Sequence, residues 1–307
     1  MTTPIIHNLA AEGGGCKGIA FAGAWKRMEE LGKTSHIEKL SGSSAGAIFV
    51  TAVAVGYTAD EIEAVLRDTD MSSFKDGSRT LVGKAWDLVF NYGLYKGDKF
   101  YSWIGDVLSR KTGDPDITFQ QLKDRYNRDL IITGSNLSRR KLEIYSPMWT
   151  PDMPVRKAVR ISMSIPLFFQ PVIRNDTETD TPMYLVDGGL LENYPMTVFQ
   201  QHGTCYVLDE TIGFKLLGEN EKADQQIYHG IDKIDGITKM VKSLVRAMML
   251  QIERLYIKKN YWERTVAIPT GDVSATDFDM DDSTKSLLYE WGYDACNTFF
   301  QSRTLDQ

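Results

Sequence analysis

The sequence predicts an α/β fold with a mostly parallel central sheet and helices on both faces, in three α/β/α layers. Short apolar runs of strand length alternate with stretches in which apolar residues recur every three or four positions. At 307 residues the chain has the length of one large domain and can bury a substantial core. No linker-like segment or shift in composition divides it, so we expect a single domain over residues 1–307.

The first 68 residues alternate between the two kinds of pattern. Thr58, followed at once by acidic residues, is typical of a capped helix start. The elements predicted here are strands at 5–10 and 36–40 and helices at 17–31, 47–56 and 58–68.

A helical cap is predicted within the domain at about 58–128. Aromatic residues concentrate at 71–112, where Gly-containing turns separate stretches with helical spacing. After the cap we expect strands at 129–137, 141–146, 183–189, 205–209 and 265–269, and helices at 155–164, 236–261 and 284–300. The polar stretch 210–236 reads as a loop, and the mixed charges of helix 236–261 favour a layer helix that faces the core.

Charge and cysteine content exclude several functions. The net charge is −6 and no basic run is longer than "SRRK" at 138–141, so we expect no nucleic-acid partner. The same acidity argues against bulk attraction to anionic membranes, so membrane contact would have to be apolar and local. Cys16, Cys205 and Cys296 lie far apart in the sequence, which predicts reduced thiols, no metal site and no cofactor.

The N-terminus lacks the pattern of a secretory signal, and no apolar run approaches the roughly 20 residues of a membrane span. We therefore expect a cytoplasmic protein that contacts membranes peripherally, and delivery as an effector by a secretion system that needs no signal peptide stays open as an alternative.

The pattern Gly42-Ser43-Ser44-Ala45-Gly46 lies between a predicted strand and a predicted helix. Small residues are common in ordinary turns, but a strand–GxSxG–helix arrangement is also that of a nucleophile elbow. The turn leaves no room for side chains beside the serine, which explains the two glycines. Ser44 would project from the strand end in front of a helix N-terminus, where a developing anion is stabilised.

A second glycine-rich stretch, "EGGGCKG" at 12–18, also lies where a strand leads into a helix. Consecutive glycines expose backbone N–H groups, as an oxyanion hole requires. The stretch also fits GxGxxG through Gly13, Gly15 and Gly18, so a dinucleotide site is an alternative. The acidic residue that such a site needs would be Glu38, but this lies inside the next predicted strand. The lone fingerprint is therefore weak support for a nucleotide.

A serine nucleophile requires a base, and the chain has four histidines: His7, His36, His202 and His229. His202 and His229 satisfy the Ser–Asp–His order of α/β hydrolases, but neither lies in a loop directly after a strand. His7 is within the first predicted strand. A structural or solvent-exposed role is the simpler interpretation for each.

Asp187 is the better candidate for the base. It ends a predicted strand and is followed by Gly188 and Gly189, although an ordinary Asp-Gly turn is an alternative. Because parallel strands end at one edge of a sheet, we expect Asp187, Ser44 and the glycine loop to meet there. Burial raises the pKa of a carboxylate, which can then accept the serine proton directly. The sequence thus predicts a Ser–Asp dyad without histidine.

These motifs, in this order, resemble the patatin-like phospholipase family over nearly the whole chain. The resemblance extends to "AVRISMSIPLFFQPV" at 158–172, "LLENYP" at 190–195 and the tail at 276–296. Glu12 is a departure, since many members carry Asp or a small residue there. The family residues that the resemblance implies are the dyad Ser44 and Asp187, the oxyanion donors Gly13, Gly14, Gly15 and Cys16, the basic residue Lys17, and the turn glycines Gly18, Gly42, Gly46, Gly188 and Gly189.

The resemblance implies a lipid acyl hydrolase that cleaves phospholipids or lysophospholipids through an acyl-enzyme. Two alternatives stay open: a general esterase with a Ser–His–Asp triad, and a non-catalytic lipid-binding or storage protein on the same scaffold. The aromatic stretch 81–104 would line an acyl channel or touch a bilayer, but its helical spacing favours packing against its own core.

Overall fold

The computed structural model describes residues 5–78, 80–199, 210–218, 240, 243 and 259–305. Within these residues, eight strands form one mixed sheet in the order β10-β9-β1-β2-β4-β8-β7, with β5 on the free edge of β4, and β3 pairs with β6. The strands are β1 (Asn8–Ala11), β2 (Lys39–Gly42), β3 (Gly93–Tyr95), β4 (Asp129–Asn136), β5 (Lys141–Tyr145), β6 (Leu167–Phe169), β7 (Val172–Asn175), β8 (Pro182–Asp187), β9 (Thr211–Leu217) and β10 (Thr265–Pro269).

The helices flank this sheet, and short 3₁₀ turns follow β1 and β8. A capping box between Thr58 and Glu61 opens the third helix, as its sequence predicts. The helices are α1 (Ile19–Glu30), α2 (Ala45–Ala54), α3 (Ala59–Asp68), α4 (Leu81–Phe90), α5 (Asp98–Thr112), α6 (Phe119–Tyr126), α7 (Val155–Ser162), α8 (Lys259–Trp262) and α9 (Asp282–Leu305).

The strands from β10 to the first half of β4 are parallel, as predicted, but β8 is antiparallel to β4. The first half of β4 pairs with β2 and its last three residues pair with β8, while β5 occupies the other edge. Strands β2 and β8 therefore share one edge of β4 and run towards each other. Their last residues, Gly42 and Asp187, lie opposite Ile132 and Gly134, about 7 Å apart along β4.

This arrangement corrects one step of the sequence argument. Asp187 does lie near the Ser44 turn, but not because two parallel strands end at the same edge. It lies there because two opposed strands meet end to end along β4.

The core lies on both faces of the sheet, as the period-two alternation of β1 requires. Leu9 and Ala11 join the main cluster, whereas Ala10 packs with Tyr194, Met196 and Tyr261 in a second cluster. On the main side, α1 and α9 approach closely at two glycines. A Cβ on Gly23 would lie 1.9 Å from the Tyr289 carbonyl oxygen, and a Cβ on Gly292 would lie 1.9 Å from that of Ala20.

The predicted cap region contains α3 to α6, with β3 between α4 and α5. Phe100 and Trp103 of α5 pack in or against the core, as predicted for the aromatic stretch. The same prediction is wrong for α4, none of whose side chains is buried. Tertiary context decides this, because an amphipathic sequence specifies an apolar face but not what covers it.

Several strands were not predicted. The stretch 210–236 was expected to be a loop, but 211–217 is β9, an interior strand between β10 and β1. Its buried lysine, Lys215, pairs with Glu12, about 200 residues away, and this partner is invisible to a local pattern. Strands β3, β6 and β7 are also additional. Strand 205–209, Cys205, His202 and His229 lie outside the described residues, as does most of helix 236–261, whose described members are helical.

Candidate active site

Ser44 occupies a strained turn between β2 and α2. Its backbone has φ 51° and ψ −122°, a left-handed conformation that is uncommon for a residue with a side chain. The Ser44 N–H donates to the Ser162 hydroxyl oxygen at 2.9 Å, and the Ser44 hydroxyl lies 3.4 Å from the Met163 sulfur. The serine is therefore held at the N-terminus of α2, as the elbow interpretation of the motif requires.

The two elbow glycines are required by close backbone contacts. A Cβ on Gly42 would lie 2.5 Å from the carbonyl group of Gly46, and a Cβ on Gly46 would lie 2.2 Å from the Ala11 carbonyl oxygen. These are backbone atoms that cannot move aside. Any larger residue at either position would push the elbow away from β1 and the glycine loop.

The glycine loop faces Ser44. A Cβ on Gly13 would lie 3.1 Å from the Ser44 Cβ, and one on Gly18 would lie 3.2 Å from the Ala45 Cβ. Glu38, the acidic residue that a dinucleotide site would need, is exposed just before β2. The loop is thus built against the serine.

The four predicted oxyanion donors differ in their existing bonds. The Gly13 N–H donates to the Asn193 carbonyl at 2.9 Å, and the Cys16 N–H donates to the Ala275 carbonyl at 3.1 Å. Among the described residues, no acceptor is assigned to the N–H groups of Gly14 and Gly15. Of the four predicted oxyanion donors, Gly14 and Gly15 therefore remain as candidates. Gly15 also needs its glycine, because its φ is +59° and a Cβ would overlap the Ala275 carbonyl oxygen at 1.8 Å.

Glu12, the departure from the family pattern, anchors this loop. It is buried, and its carboxylate accepts from the Leu216 N–H at 2.6 Å, from the Asn193 side-chain amide at 3.2 Å and from the Lys215 ammonium. Through Glu12, the loop is therefore bonded both to β9 and to the segment that follows β8. Lys17 points elsewhere, and its ammonium lies 3.4 Å from the Thr270 hydroxyl.

Asp187 is buried at the end of β8. Its Oδ1 accepts from the Gly189 N–H at 2.7 Å. A Cβ on Gly188 would lie 2.4 Å from the Thr133 hydroxyl oxygen. Burial raises the pKa of Asp187 from 3.8 to about 7, against the lowering effect of hydrogen bonds from the Gly189 N–H and the Ser44 hydroxyl. A carboxyl with this pKa is suited to accept and return a proton near neutral pH.

The end of α7 connects the two candidate catalytic residues, and the sequence argument assigned it no role. Ser162 and Met163 contact Ser44, as described above, and the next carbonyl, of Ser164, accepts from the Asp187 N–H at 3.0 Å. The buried Arg160 guanidinium binds the Ser164 hydroxyl and the Gln170 carbonyl, at 2.5 and 3.1 Å. The family resemblance includes this segment, within residues 158–172, but only the structure shows that it contacts both Ser44 and Asp187.

The described histidines are far from Ser44. His7 and His36 precede β1 and β2, at the N-terminal end of these parallel strands, with ring centroids 6.1 Å apart. Ser44 follows the other end of β2, more than about 10 Å away. The two described cysteines are buried free thiols, and burial raises their pKa, to about 11 for Cys16. This makes the Cys16 thiol a poor nucleophile.

An apolar pocket begins beside Ser44. Ala45, which follows the serine in the chain, and Met163, whose sulfur lies 3.4 Å from the Ser44 hydroxyl, both line it, together with residues of the predicted cap region. Its other lining residues are mostly aliphatic or aromatic: Gly15, Cys16, Gly18, Ile19, Ile48, Phe49, Ala52, Tyr57, Ile62, Val65, Leu66, Met71, Phe74, Phe100, Trp103, Val107 and Phe278. Such a surface fits a hydrocarbon chain and offers almost nothing to a polar ligand.

The described residues contain no group of three or more His, Cys, Asp or Glu residues arranged to hold a metal ion. No helix in the same part of the chain has the length and hydropathy to cross a membrane.

One family model and several known proteins match this chain. The family model "Patatin-like phospholipase" matches residues 9–199. The uncharacterized protein YqhO of Bacillus subtilis (strain 168) is 32% identical over 304 residues, covering 95% of this chain and 97% of YqhO. The probable lipid hydrolase 463L of Invertebrate iridescent virus 6 is 25% identical over 190 residues, or 62% of each chain.

Among solved structures, VipD from Legionella pneumophila has the same fold. It matches with a TM-score of 0.67 at 19% identity, over 97% of this chain and 67% of VipD. The family model covers more than half of the chain, and the likeness to YqhO extends along nearly all of it. The chain therefore belongs to the patatin-like phospholipase family.

Proposed function

We propose that the protein hydrolyses fatty-acyl esters of phospholipids or lysophospholipids through Ser44 and Asp187. The observation that carries the proposal is a buried serine that donates a hydrogen bond to a buried carboxyl and whose neighbours Ala45 and Met163 line an apolar pocket. The name of the viral relative, a probable lipid hydrolase, supports the substrate class.

In the first half-reaction, Asp187 accepts the Ser44 hydroxyl proton while the serine oxygen attacks the ester carbonyl carbon. The negative charge on the carbonyl oxygen is stabilised by the N–H groups of Gly14 and Gly15. When the tetrahedral intermediate collapses, the carbon–oxygen bond to the alcohol breaks and Asp187 returns the proton to that oxygen. The product is an acyl-enzyme with its chain in the pocket.

In the second half-reaction, Asp187 accepts a proton from a water molecule, which attacks the acyl carbon. Collapse breaks the bond to Ser44, the serine oxygen regains the proton, and the fatty acid is released. Both halves use the same base, so its pKa of about 7 lets it act in both directions at neutral pH.

The apolar lining supports a long acyl chain rather than a short soluble acid. Ala45 lies beside the serine and Ala52 lies two helical turns further along α2, about 10 Å away. Met71, Phe74 and Trp103, from the cap, line other parts of the same pocket. The cap is thus proposed to hold the acyl chain while the head group stays outside.

A serine-reactive fluorophosphonate probe, read by intact-protein mass spectrometry, tests the dyad. We expect Ser44-dependent labelling in the wild type. The Ser43→Ala variant should be labelled in the same way, because the buried Ser43 hydroxyl has no hydrogen-bond partner among the described residues. Ser44→Ala should not react, and Asp187→Asn should react at least a hundredfold more slowly.

His202→Ala and His229→Ala should label at the wild-type rate. Loss of labelling in either would instead support the Ser–His–Asp esterase. Absence of labelling in the wild type would favour a non-catalytic lipid-binding protein.

A further inference from the structure

Helix α4 is amphipathic, but its apolar side is the one exposed to solvent. Leu81, Val82, Trp86, Val89 and Phe90 project from one side of the helix, and Tyr92 follows it. These six side chains, here called the α4 surface, are between 52% and 86% exposed. Large apolar residues exposed together in this way mark an interaction site.

Polar contacts on the other side of the same helix join it to the residues that flank it in the chain. Asp87 Oδ2 accepts from the Ser78 N–H at 3.3 Å, and its Oδ1 accepts from the Asn91 side chain at 3.0 Å. A Cβ on Gly83 would lie 1.9 Å from the Ser78 hydroxyl oxygen, so the helix approaches this turn closely. These polar contacts lie on the side of the helix away from its large apolar residues, which stay exposed.

The C-terminal end of the helix is also fixed to the domain. Strand β3 follows at once and pairs with β6, and a Cβ on Gly93 would lie 2.4 Å from the Phe169 backbone. The Tyr92 ring packs edge-on against Tyr184 at 5.6 Å, and Tyr184 pairs across strands with the exposed Ile173. The apolar surface therefore continues from the helix onto β7.

We propose that the α4 surface is the part of the protein that inserts into the lipid surface from which the substrate is taken, an inference that rests on the proposed function. The two chain segments that flank α4 both line the acyl pocket, through Met71 and Phe74 before it and Phe100 and Trp103 after it. A bilayer in contact with α4 is thus next to the elements that receive the acyl chain.

The size and composition of the surface favour lipid over a second protein copy. A stable dimer interface takes about 20–30 residues from each side, and the α4 surface with Ile173 offers far fewer. A ten-residue helix that exposes one Trp, one Phe and three aliphatic side chains is suited to lie flat at the boundary between head groups and acyl chains. None of the exposed α4 side chains is charged, so attachment is apolar, in keeping with the net charge of −6.

The direct test is flotation with phosphatidylcholine vesicles, using the Ser44→Ala variant so that no lipid is consumed. Adding Trp86→Glu and Phe90→Glu should lower the bound fraction at least tenfold. The matched control is Trp149→Glu, since Trp149 is 59% exposed against 60% for Trp86 but lies on the β5–α7 connection. It should bind like the parent. Equal binding by all three proteins would overturn the proposal.

A second measurement covers the case in which the double variant fails to fold. Phospholipids brominated on their acyl chains should quench the Trp86 fluorescence. The quenched component should vanish in Trp86→Phe and persist in Trp149→Phe. Persistence in Trp86→Phe would place the contact elsewhere and overturn the proposal.

Sedimentation velocity without lipid tests whether the α4 surface binds a second copy of the protein instead. Self-association that Trp86→Glu and Phe90→Glu abolish would assign the surface to a second copy and overturn the proposal. Because the binding arms need no turnover, they test the α4 surface even if the wild type hydrolyses nothing. Conversely, full hydrolysis without α4-dependent binding would contradict this inference and leave the proposed function intact.

Discussion

Replacing Asp187 by Asn should stabilise the protein, and the gain should grow with pH. Burial raises the pKa of this carboxyl from 3.8 to about 7, so the folded state binds the proton more tightly than the unfolded state. The free energy of unfolding then falls as pH rises from about 4 to about 7. A difference of about 3 pKa units corresponds to about 4 kcal/mol. Asn cannot ionise and escapes this loss, while its carbonyl can still accept from the Gly189 N–H.

Urea denaturation of both proteins at pH 4, 6 and 8 measures the effect. The stability gain of Asp187→Asn should be small at pH 4, intermediate at pH 6 and about 4 kcal/mol at pH 8. Asp176→Asn is the control of opposite sign. Hydrogen bonds from the Thr179 N–H and hydroxyl hold the pKa of Asp176 below its usual range. Its stabilising effect is present above the unfolded pKa, so the variant should lose stability at pH 8.

A gain of the same size at all three pH values would refute the reasoning, because it would come from packing rather than from the buried charge. No gain at pH 8 would mean that Asp187 has an ordinary pKa. The account of Asp187 as a base poised near neutral pH would then be wrong.

Three further predictions concern the same site. The kcat/KM for a soluble ester should rise tenfold per pH unit below about 7 and level off above it, as the Asp187 carboxyl ionises; a flat profile from pH 5 to 9 would exclude this base. Ala52→Phe fills the acyl pocket, so kcat/KM for a p-nitrophenyl laurate should fall at least tenfold while that for the butyrate changes less than threefold; equal losses would show that the pocket does not hold the chain. Glu12→Gln breaks the buried pair with Lys215 and should cost about 3 kcal/mol in urea denaturation, together with a lower kcat; unchanged stability would mean that the pair does not clamp the glycine loop.

The sequence was sufficient to predict the local geometry of the two turns at the candidate site. The elbow and the glycine loop are set by residues within a few positions of one another, and steric limits explain why Gly42 and Gly46 have no substitute. The cap of α3 follows from Thr58 and Glu61 in the same way. Local chemistry determines such features, so a pattern is enough to predict them.

What depends on distant partners could not be predicted. The direction of β8 is fixed by its pairing with β4, so Asp187 was placed near Ser44 for the wrong reason. Strand β9 was missed because Lys215 needs a carboxylate far away in the sequence. The exposure of α4 was also missed, because periodicity identifies an apolar side but not whether another element covers it.

The most direct test of the account is the release of fatty acids from mixed phospholipid vesicles, measured by mass spectrometry. The wild type and Ser43→Ala should release fatty acids at similar rates, and the lipids consumed would identify the head group and the ester cleaved. Ser44→Ala and Asp187→Asn should reduce release at least a thousandfold. Release that persists in Asp187→Asn would contradict the dyad, which is the central claim.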